Sequence, residues 1–224
     1  MNKLEVIKKC VFFEGLNLLE AKRVAEIAVE KEFEKGDTIF QEGTRSSYFY
    51  IITNGQAKIT KYTQDGKEVI MEIIGACEIM GVVAVLSGAV YPSSSVALSK
   101  VSAVLIKKEE FQNLIEKNPA LSIKIIGIIS QRLEKAHNKL QAMVGNKVEQ
   151  RIANVLLELS LKMGNTIPFT REEIASMTGT TTETAIRVTS RLKLGKMIRT
   201  ERGRIILTDK EKLRLIVDGP PLKF

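Results

Sequence analysis

The 224-residue chain is 44% hydrophobic, which is enough for two smaller domains that each have their own core. Its net charge is +8, and because residues 1–130 are neutral in sum, the whole excess falls in residues 131–224, which alone are expected to meet a polyanion. With two cysteines, Cys10 and Cys77, and no apolar leader in its first ten residues, the sequence excludes a disulfide framework and a self-contained cysteine-ligated iron–sulfur cluster, and favours a cytoplasmic location. On charge alone, the alternative that the basic half is only a solvated surface stays open.

The first half of the chain has a helical pattern followed by a strand pattern. Apolar residues recur at helical spacing in residues 15–31 and predict a short amphipathic helix. In residues 33–105, short runs rich in Ile, Val, Thr and Tyr alternate with glycines, and Asp65-Gly66 is typical of a hairpin turn. These runs predict a small antiparallel barrel or roll. Residues 79–99 are uncharged but interrupted by glycine, proline and serine, so we expect buried strand and turn rather than a membrane helix.

A long helix is predicted from Pro119 onward. Its apolar residues occupy the a and d positions of three heptads, namely Ile126, Ile129, Leu133, Ala136, Leu140 and Met143. This narrow stripe favours a coiled coil with a second copy, and hence a homodimer through residues 126–143. The alternative is a helix packed on its own barrel. Ile123, Ile125 and Ile128 lie off the stripe and indicate that the helix also packs in this way.

Two short helices with a glycine between them are predicted after this long helix. Gly145-Asn146 is a natural hinge, and residues 147–163 resume a helical pattern. Thr170 is then a predicted N-cap with Glu173 three residues on, which is the arrangement of a capping box. Gly179 ends that helix in a tight turn, and either Thr180 or Thr181 can cap the next one. Two short helices joined by such a turn form a helix-turn-helix.

The outward side of the second short helix is the predicted DNA-reading surface. It carries Thr182, Glu183, Ile186 and Arg187. In a major groove, the guanidinium of Arg187 can bind guanine through two hydrogen bonds, and the carboxylate of Glu183 can accept one from cytosine. Thr181 and Thr184 are candidate phosphate ligands. The alternative is that Glu183 and Arg187 are only a surface ion pair one helical turn apart.

Two strands around a glycine turn are predicted to form a wing after this helix. They comprise residues 197–199 and 204–207, with the turn at 201–203. Basic residues that can attract phosphates are Lys193, Lys196, Arg199, Arg202 and Arg204. The complete set of candidate DNA-binding residues is Thr170, Thr181, Thr182, Glu183, Thr184, Ile186, Arg187, Arg191 and Arg202.

Two segments carry a resemblance to a known family. One is KGDTIFQEG followed by YFYIITNGQAKITKYTQDGKEVIMEIIGACEIMG, and the other is TREEIASMTGTTTETAIRVTSRLKLGKMI. The first resembles the cyclic-nucleotide-binding β-roll of the Crp/Fnr family of bacterial transcription regulators, and the second resembles its winged helix. The resemblance implies an α+β fold with an N-terminal jelly-roll-like antiparallel β-roll and flanking helices, a long dimerisation helix and a C-terminal winged helix-turn-helix. The corresponding domains are 1–118, 119–145 and 146–224.

The same resemblance implies a function. Family members of this kind are dimers that bind a palindromic promoter site in double-stranded DNA and contact RNA polymerase. Glu183 and Arg187 match positions that tend to read a TGA core in each half-site. Thr182 differs from the Arg or Val often found before that Glu, so the outer bases of the half-site stay unassigned.

The effector pocket implied by the resemblance departs from that of the members that bind cyclic AMP. Those members have Gly-Glu and, about ten residues later, Arg-Ser, where this chain has Gly81-Val82 and Pro92-Ser93. Without the arginine, the contact with the cyclic phosphate is lost, and we do not expect cyclic AMP to be the effector. The candidate effector-binding residues are Gly81, Val82, Ser93, Ser94, Ala136 and His137.

A haem cofactor is a further hypothesis. The oxygen-sensing branch of the family needs four cysteine ligands, which this chain lacks. The segment YPSSSVAL resembles the branch that senses nitric oxide or carbon monoxide with haem, and its redox relatives. His137 is the one histidine and a candidate axial ligand. The alternative is a surface or interface histidine without a ligand, and no other metal site is predicted.

Two other functions stay open as alternatives. One is a DNA-binding regulator without an effector, and the other is a small-molecule-binding subunit of an enzyme. An enzyme itself is not expected, because the sequence has no phosphate-binding Gly-Lys loop and no paired histidine metal motif.

Overall fold

The computed structural model describes residues 2–14 and 16–219 and divides into two compact units. Among the described residues, one unit comprises 2–14, 16–67 and 71–134, and the other comprises 68–70 and 135–219. Three parts of the predictions lie outside the described residues. They are Gly15, which is the first residue of the predicted amphipathic helix, residue 1 of the first predicted domain and residues 220–224 of the last one.

Two short helices open the first unit, α1 (Lys3–Lys9) and α2 (Leu18–Ile27), with a 3-10 turn at Val11–Phe13 between them. Both helices start from an asparagine N-cap in a capping box. The rings of the turn pack into the core, where the centroids of Phe12 and Phe111 lie 5.6 Å apart. The amphipathic helix is therefore confirmed, but it is shorter than residues 15–31 because the chain extends into a strand at residue 29.

Eight strands form the roll. They are β1 (Val29–Phe33), β2 (Thr38–Phe40), β3 (Tyr48–Asn54), β4 (Ala57–Tyr62), β5 (Glu68–Ile74), β6 (Ile79–Met80), β7 (Ser94–Ala97) and β8 (Val101–Lys107). They make two four-stranded sheets with the orders β1-β8-β3-β6 and β2-β7-β4-β5. Side chains of both sheets share one core, in which the rings of Phe40 and Tyr50 are 5.5 Å apart. The predicted antiparallel roll is confirmed.

Residues 79–99 differ from the prediction of strand and turn alone. They contain a six-residue helix, α3 (Val82–Ser87), between β6 and β7. Gly81 and Gly88 flank it with φ angles of 79° and 70°, a left-handed conformation that glycine adopts without strain. A short apolar run does not distinguish a buried strand from a buried helix by its periodicity, which is why the helix was missed.

The first unit closes with α4 (Lys108–Glu116) and the beginning of α5 (Pro119–Gly145). Leu121 and Ile125 of α5 are buried in the core of the roll. Ile128 packs on the same core, as predicted, but Ile123 does not, because its side chain is 72% exposed. The helix ends at the predicted hinge glycine, Gly145.

The second unit contains the end of α5 and a small helical domain. Its further elements are α6 (Val148–Met163), β9 (Thr166–Ile167), α7 (Arg171–Thr178), α8 (Thr182–Leu194), β10 (Ile198–Glu201), β11 (Arg204–Leu207) and α9 (Lys210–Asp218). The three strands form one antiparallel sheet in the order β10-β11-β9. The wing is therefore confirmed, but its first strand extends to Glu201, so the turn is shorter than the predicted 201–203. The sheet also has a third strand, which is only two residues long and has no sequence pattern of its own. No helix within the described residues is long and apolar enough to cross a membrane.

Candidate nucleic-acid interface and ligand cavity

The helices α7 and α8 are joined by a tight turn of defined geometry. Thr170 caps α7, accepting the N–H of Glu173 at 3.2 Å, as the sequence predicts. Gly179 ends the helix with a φ of 61°, and its N–H and that of Thr180 both donate to Ala175 O. A side chain at residue 179 would be strained in this left-handed conformation.

The cap of α8 is Thr181. Its hydroxyl oxygen accepts the N–H of Thr184 at 3.2 Å and its hydroxyl donates to the Thr184 hydroxyl oxygen at 3.1 Å. The N-cap is therefore Thr181 rather than Thr180, and the helix begins at Thr182. Thr181 therefore already uses its hydroxyl within the protein, whereas the hydroxyl hydrogen of Thr184 stays available for a phosphate oxygen.

One face of α8 is buried and the opposite face is exposed. Ala185 and Val188 pack in the domain core, while Glu183 and Arg187 are exposed and Ile186 is 44% exposed. No carboxylate of the described residues lies within 4.0 Å of the Arg187 guanidinium. Glu183, Ile186 and Arg187 thus share the solvent face of the helix, whereas Thr182 is half-buried. Among the described residues, Arg187 is not half of a surface ion pair.

Two of the other predicted DNA-binding residues are held by neighbours. The hydroxyl of Thr170 donates to the carboxylate of Glu173 at 3.0 Å, in addition to its capping bond. Arg191 forms an ion pair with Glu149 of α6. A phosphate would therefore have to compete with Glu149 for Arg191, so we expect a weaker contribution from this residue than from Arg187.

The wing presents its basic residues around a glycine turn. Gly203 has a φ of 72° between the paired residues Glu201 and Arg204, and Arg202 is exposed at the tip. Arg204 forms an ion pair with Glu201 across that turn. Among the wing cations, Arg202 is therefore better placed than Arg204 to meet a polyanion.

The α5 stripe contains the a-position residues Ile126, Leu133 and Leu140, which are spaced one heptad apart, and the d-position residues that lie between them. The side chains of these three residues are 63%, 56% and 61% exposed in the single chain. The d-position Ile129 differs, because it packs partly on the core of the roll. Exposed large apolar residues that recur every seven positions are the pattern of a helix pairing with another helix.

A cavity of about 130 Å³ lies within the first unit, between the two sheets, α3 and α5. Its apolar wall includes Phe40, Ile59, Ile74, Met80 and Tyr91. Its polar lining consists of Glu72, Ser93 and Arg132 together with the backbone at Gly81. Burial raises the pKa of the Tyr91 hydroxyl, which is held by a hydrogen bond to Tyr48 O at 2.5 Å, so Tyr91 is neutral at physiological pH.

The cavity contains only some of the predicted effector-binding residues. Gly81 and Ser93 line it, but four others are not among the described residues that do. Val82 is buried in the core of the roll, and the hydroxyl of Ser94 accepts the N–H of Glu42 at 3.0 Å. Ala136 and His137 are exposed further along α5.

Arg132 lines the cavity and was not predicted. It follows Ile125 by seven residues and Ile128 by four, so it lies on the face of α5 that packs on the roll. Its guanidinium donates to Ile79 O at 2.6 Å. A charged residue on an otherwise buried helical face was a sequence feature that could have indicated this position.

A β-roll of this type followed by a long helix and a winged helix-turn-helix defines a class of two-domain transcription regulators. Family models agree with both parts, since the cyclic nucleotide-binding domain matches residues 30–118 and the Crp-like helix-turn-helix domain matches residues 150–216. The chain belongs to the Crp/Fnr family of transcription regulators. Proteins with this type of helix-turn-helix bind DNA, are generally dimers and are not enzymes.

Individual relatives are distant but cover nearly the whole chain. The CRP-like cAMP-activated global transcriptional regulator of Mycobacterium tuberculosis is 25% identical over 93% of this chain and 97% of its own length. The cyclic AMP receptor protein of Thermus thermophilus is 22% identical over 95% of this chain and 99% of its own. The structure of FixK2 from Bradyrhizobium japonicum superposes with a TM-score of 0.76 at 20% identity, covering 88% of this chain and all of that one.

Proposed function

We propose that two copies of this chain pair through α5 and bind a palindromic promoter site, each copy placing α8 in the major groove of one half-site. The observation that carries the proposal is the exposed face of α8, where the guanidinium of Arg187 lies one turn from Glu183 and forms no ion pair with any carboxylate of the described residues. Such a face matches the donor and acceptor pattern of base edges in a major groove.

The half-site is proposed to contain a TGA core. Arg187 would bind the O6 and N7 atoms of guanine, and Glu183 would accept a hydrogen bond from the cytosine amino group on the other strand. Thr184, Arg202 and the wing would contact phosphates, which fix the register of the helix without reading sequence.

Pairing through residues 126–143 is supported by the α5 stripe. A two-fold dimer presents two copies of α8, and the centres of two half-sites that face the same side of DNA are about 34 Å apart. Contact with RNA polymerase belongs to the proposal as well and rests on the family resemblance.

Control by a small effector is supported by the cavity in the roll. At about 130 Å³ it is smaller than the roughly 300–1,000 Å³ typical of sites for drug-sized ligands. Pro92 lines it where members that bind cyclic AMP have an arginine. We therefore propose an effector smaller than cyclic AMP. His137 is exposed outside this cavity, so the haem hypothesis remains a prediction without support from the described residues.

Fluorescence anisotropy with labelled duplexes tests the proposal. The full chain should bind a duplex with two TGA half-sites much more tightly than a shuffled duplex of the same composition, and binding should weaken steeply with salt. Equal affinity for both duplexes would contradict the proposal. Tight binding by ligand-free protein that no effector changes would favour the alternative of a regulator without an effector.

A further inference from the structure

Arg132 is the one cationic side chain among the described residues that line the cavity in the roll. It is half-buried, and the bond from one of its terminal nitrogens to Ile79 O holds the guanidinium at the end of β6. A guanidinium has five N–H donors, and a carbonyl oxygen on one of them leaves the rest to be satisfied by other groups.

In the part of the chain that the structure describes, no carboxylate neutralises this guanidinium directly. Among residues 2–14 and 16–219, no carboxylate oxygen lies within 4.0 Å of the Arg132 nitrogens. Glu72 also lines the cavity, but it is an exposed residue. Half-buried guanidinium groups are usually paired with an anion, because removing a charge from water costs free energy that only a partner restores.

We propose that the cavity binds a small organic anion whose carboxylate or phosphate group pairs with the Arg132 guanidinium. Arginine binds both groups through two parallel hydrogen bonds, so the shared chemistry is a planar or tetrahedral oxyanion. The apolar wall formed by Phe40, Ile59 and Tyr91 accommodates the carbon skeleton of the ligand, and Ser93 can bond to a further oxygen. The volume of the cavity restricts that skeleton to a few carbon atoms.

Binding at this place acts on the helix that carries the α5 stripe. Arg132 directly precedes Leu133, a stripe residue, so an anion that contacts both Arg132 and the backbone at Gly81 fixes α5 against the roll next to the pairing surface. A ligand that favours one position of α5 shifts the protein toward it. This step deepens the effector part of the proposed function and depends on it.

The test is calorimetric titration of the full chain with five separate probes at constant ionic strength. These are inorganic phosphate, acetate, succinate, 3-phosphoglycerate and cyclic AMP, with sodium chloride as the reference. We expect saturable binding of at least one small anion. Whether the most tightly bound anion carries a phosphate or only carboxylates shows which of the two groups the site recognises. If none of the four small anions binds more tightly than chloride, the proposal is wrong.

Matched variants assign the binding to Arg132. Arg132→Gln should lower the affinity for the most tightly bound anion about 10- to 100-fold, because hydrogen bonds between charged groups are lost. Arg23→Gln removes the same charge from an exposed position on α2 and should leave binding unchanged. Glu72→Gln removes a negative charge from the lining and should leave affinity equal or increase it. Equal losses for Arg132→Gln and Arg23→Gln would contradict the proposal.

Two further measurements keep the test independent of folding and of DNA binding. If Arg132→Gln does not fold, Ile59→Phe keeps the guanidinium and fills the cavity, and it should abolish binding of the anion. Failure of Ile59→Phe to reduce binding would place the anion elsewhere. DNA binding is measured separately on the TGA duplex. A chain that binds this duplex but no anion refutes this inference alone, whereas one that binds the anion but no specific duplex refutes the proposed function.

Discussion

The side chain of Arg151 donates from Nε to the backbone oxygen of Thr178 at 3.0 Å, directly before the Gly179 turn that leads into α8. The same guanidinium donates to Asn146 O at 2.9 Å and to Met143 O at 3.3 Å. One half-buried cation therefore satisfies carbonyl groups at the ends of two helices, α5 and α7, where unpaired carbonyls and the helix dipoles favour positive charge. Arg151 fixes the position of the turn relative to the end of α5.

Replacing Arg151 by methionine should lower the free energy of unfolding of the second unit by about 1–3 kcal/mol, because three carbonyl groups lose a charged donor. It should also weaken binding to the TGA duplex, since α8 is no longer fixed to the end of α5. Urea denaturation and anisotropy measure the two effects. Arg171→Met, at an exposed position in the first turn of α7, is the control and should change stability little. Equal losses in the two variants would show that Arg151 has no special role.

Arg187→Ala should cost about 1–3 kcal/mol in binding to a duplex with TGA half-sites and relax the preference for the contacted guanine. The variant should fold as before, because the side chain is exposed and not paired with any carboxylate of the described residues. Competition with duplexes that carry each base at the guanine position measures the preference. A loss of the same size on shuffled DNA would mean that Arg187 contacts only phosphate.

Leu133→Lys should prevent pairing of the chains. Leu133 is 56% exposed in the single chain, and the proposed dimer buries its side chain in both copies. The substitution removes this buried apolar area twice and places two charges there. The dissociation constant of the dimer should therefore rise about 100-fold or more. Sedimentation velocity gives the oligomeric state across a range of concentrations. Gln131→Lys adds the same charge to an exposed position outside the stripe and should leave the dimer intact. A monomeric wild-type chain that still binds both half-sites would contradict the proposed assembly.

The free energy of unfolding should fall in alkaline solution because the buried thiol of Cys10 resists losing its proton. Burial raises the pKa of its thiol from an ordinary value of 9.0 to about 11. Between pH 9 and pH 11 the unfolded chain loses the thiol proton while the folded chain keeps it. The contribution of the protonated thiol to the free energy of unfolding is therefore fully present below pH 9 and is lost as the pH rises toward 11. The loss amounts to roughly 2 kcal/mol.

Denaturation curves recorded at several pH values between 8 and 11 measure this contribution. In Cys10→Ala the overall stability is lower because a cavity forms, but the part of the pH slope that belongs to the thiol should disappear. Thiol titration with a colorimetric disulfide reagent gives a second measure, in which the native Cys10 should stay unreactive at pH 8. An unchanged slope in the variant would show that other groups cause the pH dependence.

The local elements of the second unit were predictable from the sequence because they depend on short-range chemistry. The capping box of Thr170 and Glu173 and the left-handed Gly179 each involve residues at most five apart in the chain, and both occur as predicted. The choice between Thr180 and Thr181 as the next cap was not decidable, because two adjacent hydroxyl groups fit the same pattern.

The cavity in the roll was less predictable because its lining comes from distant parts of the chain. Gly81 and Ser93 were found through the family resemblance, whereas Arg132 belongs to another element and reaches the cavity through long-range packing. Val82 and Ser94 do not line the cavity, since neighbours in sequence on a short helix or a strand point in different directions. The α5 stripe, in contrast, could be predicted from its seven-residue period alone.

The spacing of Ile126, Leu133 and Leu140 has a consequence for gene dosage. For a regulator that acts only as a pair, the concentration of the active species below the pairing constant varies with the square of the chain concentration, so halving the supply of protein lowers it about fourfold. Promoters served by such a protein respond steeply to its synthesis and dilution, even when the supply of metabolite is constant.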